Sequence, residues 1–556
     1  MKKYIGISIM AVAMGLGLTA CDDFLDKLPD NRTEANTEEK IQKLLVAAYP
    51  THDHMLVTEY SSDNVDDMGE NNPYSDRFLD QVYSWTDVTE TNNQDPESYW
   101  MDLYQCIETA NMALEGIESM GGATTTTLKE MQAEALMCRA YAHFMLVNVF
   151  AMHYDSNNPN AVGVSYVTET EKELNPQYQR ETVHENYKHI EADLEAALPY
   201  VGDSYYSVPK YHFNKNAAYA FATRFYLYYE KYDKVIEYAN KVLGSNPKNM
   251  LRNYQHIATL PRDFGSGSGP ILMYMIDANQ NNNLLLLTSY SRQGVYFGPY
   301  YTGKRYSHNA YIGTNEDINA LAGLWGGNYS TYLAQVFRYS GTNLNTWLNW
   351  RTAPLFEYTD PVAGIGYYHT VYNAFTGDEV LINRAEAYAM LKQYDKAYSD
   401  LTTWVRNVVV PAFQSFTVNK ETIEAYLSKL SYSYDDDAHM ASTLKKHLHP
   451  KFTIDAEGSE QENLIQLILA VRRYETLSEG KRWFDIKRWG IEIPRRTMDG
   501  AGAPSKITDW LKVDDPRRAI QIPLKVRDAG YEPNPRPDSS DDTNGALIPD
   551  NYLLKD

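Results

Sequence analysis

Cysteine is nearly missing from this chain: three residues in 556, at Cys21, Cys106 and Cys138. Cys106 and Cys138 each stand in an apolar helical context and read as buried free thiols rather than as a disulfide. Stability therefore rests on a core, and the length leaves ample material for a large one. Positive charge is also scarce, with 51 Lys and Arg against 73 Asp and Glu, a net charge of −22 and only short basic clusters. Binding a phosphate backbone depends on releasing counterions from neutralised phosphates, which an acidic surface opposes, so nucleic acid is not an expected partner. Catalytic signatures are missing as well. There is no G-x-S-x-G elbow, and Gly265-Ser-Gly-Ser-Gly269 precedes a strand-like run, 271–276, instead of joining strand to helix as a phosphate loop does. The close histidine pairs, His52-Asp-His54 and His447-Leu-His449, have neither H-E-x-x-H spacing nor cysteine partners for zinc. Among 73 acidic residues, spacing alone singles out no glycosidase pair. The chain reads as a non-enzyme without a cofactor; Asp63, Asp66, Asp67 and Asp435-Asp436-Asp437 have the ligand type for a structural calcium but read first as solvated loops.

What is present is tyrosine, 46 residues against 16 Phe and 9 Trp. Its flat apolar face and polar tip suit half-wet surfaces better than Phe does. The first twenty residues have the shape of a leader: Lys2 and Lys3, an apolar run over 4–18, then Leu18-Thr19-Ala20-Cys21. The run is marginal for a bilayer span and ends where processing is expected. L-T-A-C resembles the bacterial lipobox, which implies lipidation of Cys21 as the first mature residue. Several acyl chains there, at about 0.8 kcal/mol per buried methylene, would hold the protein to a membrane. Asp22-Asp23 resembles the acidic tether that sends lipoproteins of the Bacteroidetes to the cell surface.

Helical periodicity dominates the chain beyond residue 36. The spacing predicts helices over 37–49, 96–120, 128–151, 182–200, 421–430 and 461–477. Residues 380–405 read as two helices meeting at a short polar joint, with Leu381, Ala385 and Tyr388 on one stripe and Ala397, Leu401 and Trp404 on the other. This is the tetratricopeptide hairpin pattern. Tyr226 to Lys234 and Tyr388 to Lys396 share the frame Y-x5-Y-D-K at an offset of 162 residues, so a second hairpin is expected over 219–247. Two stretches lack the period: 50–97, and an insertion over 253–377 rich in Gly, Asn, Tyr and Trp. Beyond residue 516 one strand-like run, 519–523, precedes a Pro-, Asp- and Asn-rich tail. The fold class is mainly α: tetratricopeptide-like hairpins with long irregular loop insertions and a few short strands. The expected organisation is a signal peptide (1–20), a lipidated tether (21–36), an N-terminal helical region (37–252) and a C-terminal region with the aromatic insertion (253–556), all one compact unit.

Four stretches in order resemble the SusD/RagB family of outer-membrane lipoproteins: the lipobox with CDDFLD, AEALMCRAYAHFML at 133–146, INRAEAYAMLKQYDKAYSDL, and RRYETLSEGKRWFDIKRWG at 472–490. The run IQIPLKVRDAGYEPNP resembles the family's closing segment, whereas the tail from Arg536 is longer and more acidic than the pattern. The resemblance implies a helical scaffold that binds oligosaccharide or polysaccharide at the cell surface. It also implies a partner, a SusC-type TonB-dependent transporter in the outer membrane. In the RagB branch the ligand is peptide. A surface glycosidase and a structural repeat adaptor are the readings from other classes.

A sugar ring offers an apolar C–H face and a rim of hydroxyls, which a flat aromatic and nearby amides, carboxylates or guanidinium groups can hold. Two stretches supply that mixture. The first offers Asp66, Tyr74, Arg77, Tyr83, Trp85 and Asn92; the second offers Tyr296, Tyr300, Trp325, Asn328, Tyr329, Trp347 and Trp350. Trp85, Trp325, Trp347 and Trp350 are the expected platforms. Trp100, Trp483 and Trp489 are assigned to the scaffold, and the charges of 472–488 to an ion-pair network bracing a turn.

Overall fold

The computed structural model describes residues 35–172, 177–263, 269–298, 303–334, 337–338, 346–348 and 351–536. The chain enters through α1 (Glu38–Val46), whose N-cap Thr37 accepts from the Lys40 N–H. The aperiodic stretch after it is not structureless. It holds α2 (Met55–Ser61), β1 (Asp66–Asp67) and α3 (Arg77–Tyr83). All seven residues of α2 are buried, so it has no polar face from which a period could be read. Next come α4 (Pro96–Ser119), α5 (Thr126–Phe150) and α6 (Val183–Ala197), packed in succession. Each starts at a capping residue, Asp95, Thr125 or Thr182, the last in a reciprocal box with Glu185. Cys106 and Cys138 are buried free thiols on α4 and α5, and burial pushes both thiols well up. Trp100 lies in the core, edge-on to Phe150 at 4.9 Å.

α7 (Lys215–Tyr228) and α8 (Tyr232–Leu243) form the first hairpin. At its joint Glu230 takes a positive φ of 61°, and Lys231 N–H closes onto Tyr226 C=O at 2.9 Å.

The insertion comes next. It contains α9 (Tyr254–Ile257), α10 (Pro270–Met275), β2 (Asn283–Tyr290), α11 (Gln293–Tyr296), β3 (Tyr306–Ser307), α12 (Ala310–Asn315), α13 (Ile318–Ala322), β4 (Phe337–Arg338), β5 (Trp347–Leu348), β6 (Leu355–Asp360) and β7 (Ile365–Thr376). The run 271–276, expected as a strand, is helix α10. Pro270 opens it at a first-turn position, and six apolar residues alone do not separate strand from helix. β2, β7 and β6 make an antiparallel sheet in that order. β7 runs straight into α14 (Gly377–Met390), which Thr376 caps.

α14 and α15 (Tyr394–Val408) form the second hairpin, and α8 packs on α14. Its joint repeats the first residue for residue: Lys392 has φ 57°, and Gln393 N–H closes onto Tyr388 C=O at 2.8 Å. The repeat read at an offset of 162 residues is thus a repeat of backbone geometry. Arg384 ties the two hairpins together, reaching Asp400 with two hydrogen bonds and Asn240 of α8 with a third.

The remaining elements are α16 (Lys420–Leu427), α17 (Glu460–Thr476), α18 (Arg482–Arg488), β8 (Ile493–Met498), β9 (Pro504–Leu511) and α19 (Leu524–Asp528). β8 and β9 join β1 and β3 in the sheet β3-β1-β8-β9. The run 519–523 is not a strand: Ile520 N–H bonds the Val149 carbonyl at the end of α5. The charges of α17 and α18 do form a network, and it reaches well beyond a turn. Arg472 and Arg488 both meet Glu386 of α14 at 2.6 Å, and Arg482 meets Asp63 at 2.8 Å. Arg473 bridges Asp63 and Glu316, so one helix locks the N-terminal segment to the insertion. Trp483 and Trp489 are fully buried beside it. Gly480, at φ 70°, sits so close to α2 that a Cβ would lie 2.2 Å from the Thr58 hydroxyl.

Candidate functional site: an aromatic hairpin

β6 and β7 leave the core as a two-stranded blade. Asp360 shapes its tip by accepting from the N–H groups of Val362 and Ala363, both at 2.9 Å, and Gly364 supplies the positive φ that closes the turn. β7 is exposed at Ile365 and buried from Asn373 onward, so the blade is rooted at one end only. Its register opposes Phe356 to Tyr368, Glu357 to Tyr367 and Leu355 to His369; on the other side of β7, Tyr290 opposes His369. Directly opposed residues share a face and alternate residues return to it. One face therefore carries Phe356, Tyr358 and Tyr368, with Phe356 edge-on to both tyrosines at 4.9 Å. The opposite face carries Glu357, Tyr367, His369 and Tyr290, with the rings of Tyr290 and Tyr367 5.0 Å apart and His52 5.3 Å from Tyr290. Aromatic surface stays open to solvent: Tyr358 is 58% exposed, Phe356 37% and Tyr290 36%. Glu357 beside it pushes the Tyr367 phenol up, so that hydroxyl remains a donor.

The root is held by a buried carboxylate. Asp53 accepts from the Ser289 hydroxyl at 2.6 Å, from Gln94 at 3.0 Å and from Met55 N–H at 2.9 Å. Gln94 in turn bonds Ser291 Oγ and accepts from Arg292 N–H. The loop after β2 presents an exposed Arg292, whose guanidinium lies 5.3 Å from the Tyr296 ring. Aromatic faces, phenols, one carboxylate, two imidazoles and a guanidinium are thereby displayed together. That set can cover apolar C–H surface and meet a hydroxyl rim.

The residues expected from the sequence scatter around this surface. Tyr74 is 63% exposed and forms a strand-like bridge to Lys304, whose ammonium lies 4.5 Å from the Tyr296 ring. Arg77 is exposed and pairs with Glu90 at 3.1 Å. Tyr329 and Trp347 meet edge-on at 5.6 Å, both half-buried, and Gly313 leaves room for the Trp347 ring. Asp66, Tyr83, Trp85, Tyr296 and Trp325 face inward. Asp66 is buried with Arg496 on both oxygens at 3.0 Å and Asn309 on one. Tyr83 stacks on Tyr306 at 4.1 Å, and its hydroxyl donates to the Arg496 carbonyl. Trp85 and Trp325 are each 5% exposed, their indole N–H groups given to Ser61 C=O and Thr331 Oγ1 at 2.9 Å. Tyr296 is 7% exposed, with its hydroxyl 3.3 Å from Asp76. Asn92 and Asn328 use their side chains to cap Gln94 and Ser330. Tyr300, Trp350 and Cys21 lie outside the described residues. Phe356, Tyr358, Tyr367 and Tyr368 were not expected. Their signal is a pair of aromatic-rich runs, LFEY and GYYHTVY, flanking Asp360-Pro361 and Gly364.

The scaffold is that of a helical-repeat protein, and its insertion carries a cluster of exposed aromatics. Residues 23–227 match the family model SusD-like_3, described as "Starch-binding associating with outer membrane", and residues 377–543 match SusD_RagB, the SusD family. The chain belongs to the SusD/RagB family. It shares its fold with a SusD superfamily protein of Bacteroides thetaiotaomicron (17% identity, 90% of this chain and 100% of that one, TM-score 0.60). The same holds for a putative sugar binding protein of Bacteroides vulgatus (16%, 91% and 99%, 0.61) and a SusD superfamily protein of Bacteroides fragilis (19%, 90% and 99%, 0.59). No curated protein matches the chain. Family membership points to a carbohydrate-binding, outer-membrane-associated protein, and neither matching model describes a catalytic family. No described helix is long and apolar enough to cross a membrane. The blade lies between the two matched segments, in the part of the chain that neither model covers.

Proposed function

We propose that this protein captures oligosaccharide or polysaccharide outside the cell and passes it, chemically unchanged, to a SusC-type TonB-dependent transporter. The observation that carries the reading is the aromatic set on and beside the blade, with Tyr290, Phe356 and Tyr358 exposed and Tyr367 and Tyr368 half-buried, displayed beside Glu357, His52 and Arg292. Of the residues expected from the sequence, Tyr74 and Arg77 belong to the same reading by their exposure, and Tyr329 and Trp347 by the half-buried aromatic pair they form. A glycan array combined with a reducing-end assay tests it. Retention of a glycan with no new reducing ends is the expected result, and released sugar would place the protein among glycosidases. A peptide ligand, as in the RagB branch, is favoured by one feature: β6 is an edge strand of its sheet, and among the described residues no strand pairs with its outer side, where a peptide strand could add. Binding of extended peptides with no glycan retained would select that reading.

Anchoring through lipid on Cys21, with the protein facing the cell exterior, completes the proposal. Cys21→Ser should move the protein from the membrane pellet to the soluble fraction in detergent-free lysates. Continued sedimentation with membranes would sink the anchor.

A further inference from the structure

Arginines of the C-terminal segment are mostly buried against acids. Arg472, Arg473, Arg482, Arg488 and Arg496 each meet a carboxylate within 4 Å. Lys487 and Arg518 do not. Lys487 Nζ donates to the carbonyls of Asn148 and Ala151, both at 2.6 Å, at the end of α5. Arg518 donates to the carbonyls of Lys512, Ile486, Ile491 and Leu511. Exposure is 8% for Lys487 and 1% for Arg518, and among the described residues neither forms an ion pair. An ammonium has three N–H donors and a guanidinium five, so each retains one N–H without an acceptor among those residues.

Both side chains line one cavity of about 320 Å³, at the lower end of the ~300–1,000 Å³ typical of small-molecule sites. His153 lines it too, and its buried Nε2 has no hydrogen-bond partner. His449 and Lys451 are exposed on the same lining, with Lys451 paired to the exposed Asp514 at 2.6 Å. No lining residue is shared with the aromatic blade. Two cations in one wall with no described carboxylate within ion-pair distance of either repel each other and are costly to desolvate; the carbonyl dipoles, and for Arg518 the more distant Asp515, Glu492 and Asp514, offset only part of that cost, and Asp155 also lines the cavity. In keeping with this, burial and then Arg518 push Lys487 down to about 7, and burial lowers Arg518 to about 10.

We propose that this cavity is an oxyanion site, in which Lys487, Arg518 and His153 hold the carboxylate or sulfate group of a free small anion or of an acidic sugar residue. An anion placed there would accept the two spare N–H groups, neutralise the paired charges and give His153 a partner. The inference stands apart from glycan capture on the blade, and its failure would leave that reading untouched.

The test is thermal unfolding and calorimetric titration of the full mature chain with sulfate, phosphate, acetate or galacturonate at constant ionic strength. At least one should raise Tm saturably, by about 2 °C or more, as binding to the folded state requires. Sulfate or phosphate without galacturonate would identify a free tetrahedral anion; galacturonate alone would identify an acidic sugar. Lys487→Met should abolish the response, but it also removes a tie to the end of α5. Val162→Glu is therefore the second variant: Val162 lines the cavity and is 42% exposed, so a carboxylate there can fold and compete. It should weaken binding at least tenfold. No saturable response to any of the four probes, or an unchanged affinity in Val162→Glu, would overturn the site.

Discussion

Arg473→Met should lower the unfolding free energy by about 3–5 kcal/mol, the range for breaking a buried ion pair from one side. Arg473 is 2% exposed and engages four acceptors. Its Nε bonds Asn64 at 2.9 Å, its Nη2 bonds the Asp63 carbonyl at 2.6 Å, and its Nη1 faces Asp63 at 3.4 Å and Glu316 at 3.2 Å. The methionine fills similar space but leaves two carboxylates short of one cation. Arg482 still serves Asp63, and Lys446 and Arg496 still serve Glu316, which keeps the loss within that range. Urea denaturation measures it, and a loss under 1 kcal/mol would show the network to be decorative. Glu316→Gln in the same background should recover part of the deficit. The network also sets an acid limit. Burial alone would raise Asp63 and Glu316, yet the surrounding cations outweigh it and hold both below the usual carboxylate range. A carboxylate depressed in the folded state stabilises fully above its unfolded pKa, near 4, and loses that contribution as pH falls toward the folded value. Stability of the wild type should therefore fall below about pH 4, and less steeply in Arg473→Met.

The helical hairpins were legible because their packing is written locally. Ala and Tyr recur on the stripes that meet, and the frame Y-x5-Y-D-K carries its own joint, with Glu230 and Lys392 in the same left-handed conformation. The blade was not legible for the opposite reason. Its aromatics lie on both faces, so LFEYTD shows no alternation of apolar and polar residues, and six residues are too few for a confident strand. β2 is hidden similarly, because Leu284 to Leu287 are buried whichever way they point. Loop tryptophans posed a harder problem. Trp85 at φ 54° is turned so that its N–H meets Ser61 and Arg495 stacks on its ring at 3.8 Å. Both partners are distant in sequence or backbone in kind, and neither leaves a mark beside the tryptophan. The same holds for Asp66, whose arginine lies 430 residues away.

These placements reverse what substitution of the aromatics should do. Tyr358→Ala or Tyr367→Ala, whichever removes the ring on the face the glycan takes, should weaken glycan retention about tenfold, and both should leave Tm within about 1 °C of the wild type. An aromatic contact contributes about 0.5–1.5 kcal/mol beyond the area it covers, and the exposed ring of Tyr358 has little packing to lose on folding. Since Tyr358 and Tyr367 occupy opposite faces of the blade, the pair also reports which face the glycan takes. Loss confined to Tyr358→Ala assigns it to the Phe356 side, and loss confined to Tyr367→Ala to the Tyr290 side. Trp85→Ala should behave oppositely, costing about 3–5 kcal/mol of stability through the cavity it leaves and the lost N–H bond. Affinity per folded molecule should stay unchanged. Isothermal titration on samples matched for folded fraction separates the two effects. If Trp85→Ala removed binding at wild-type stability while both tyrosine variants bound normally, the site would move from the blade to the cleft lined by Trp85 and Arg517.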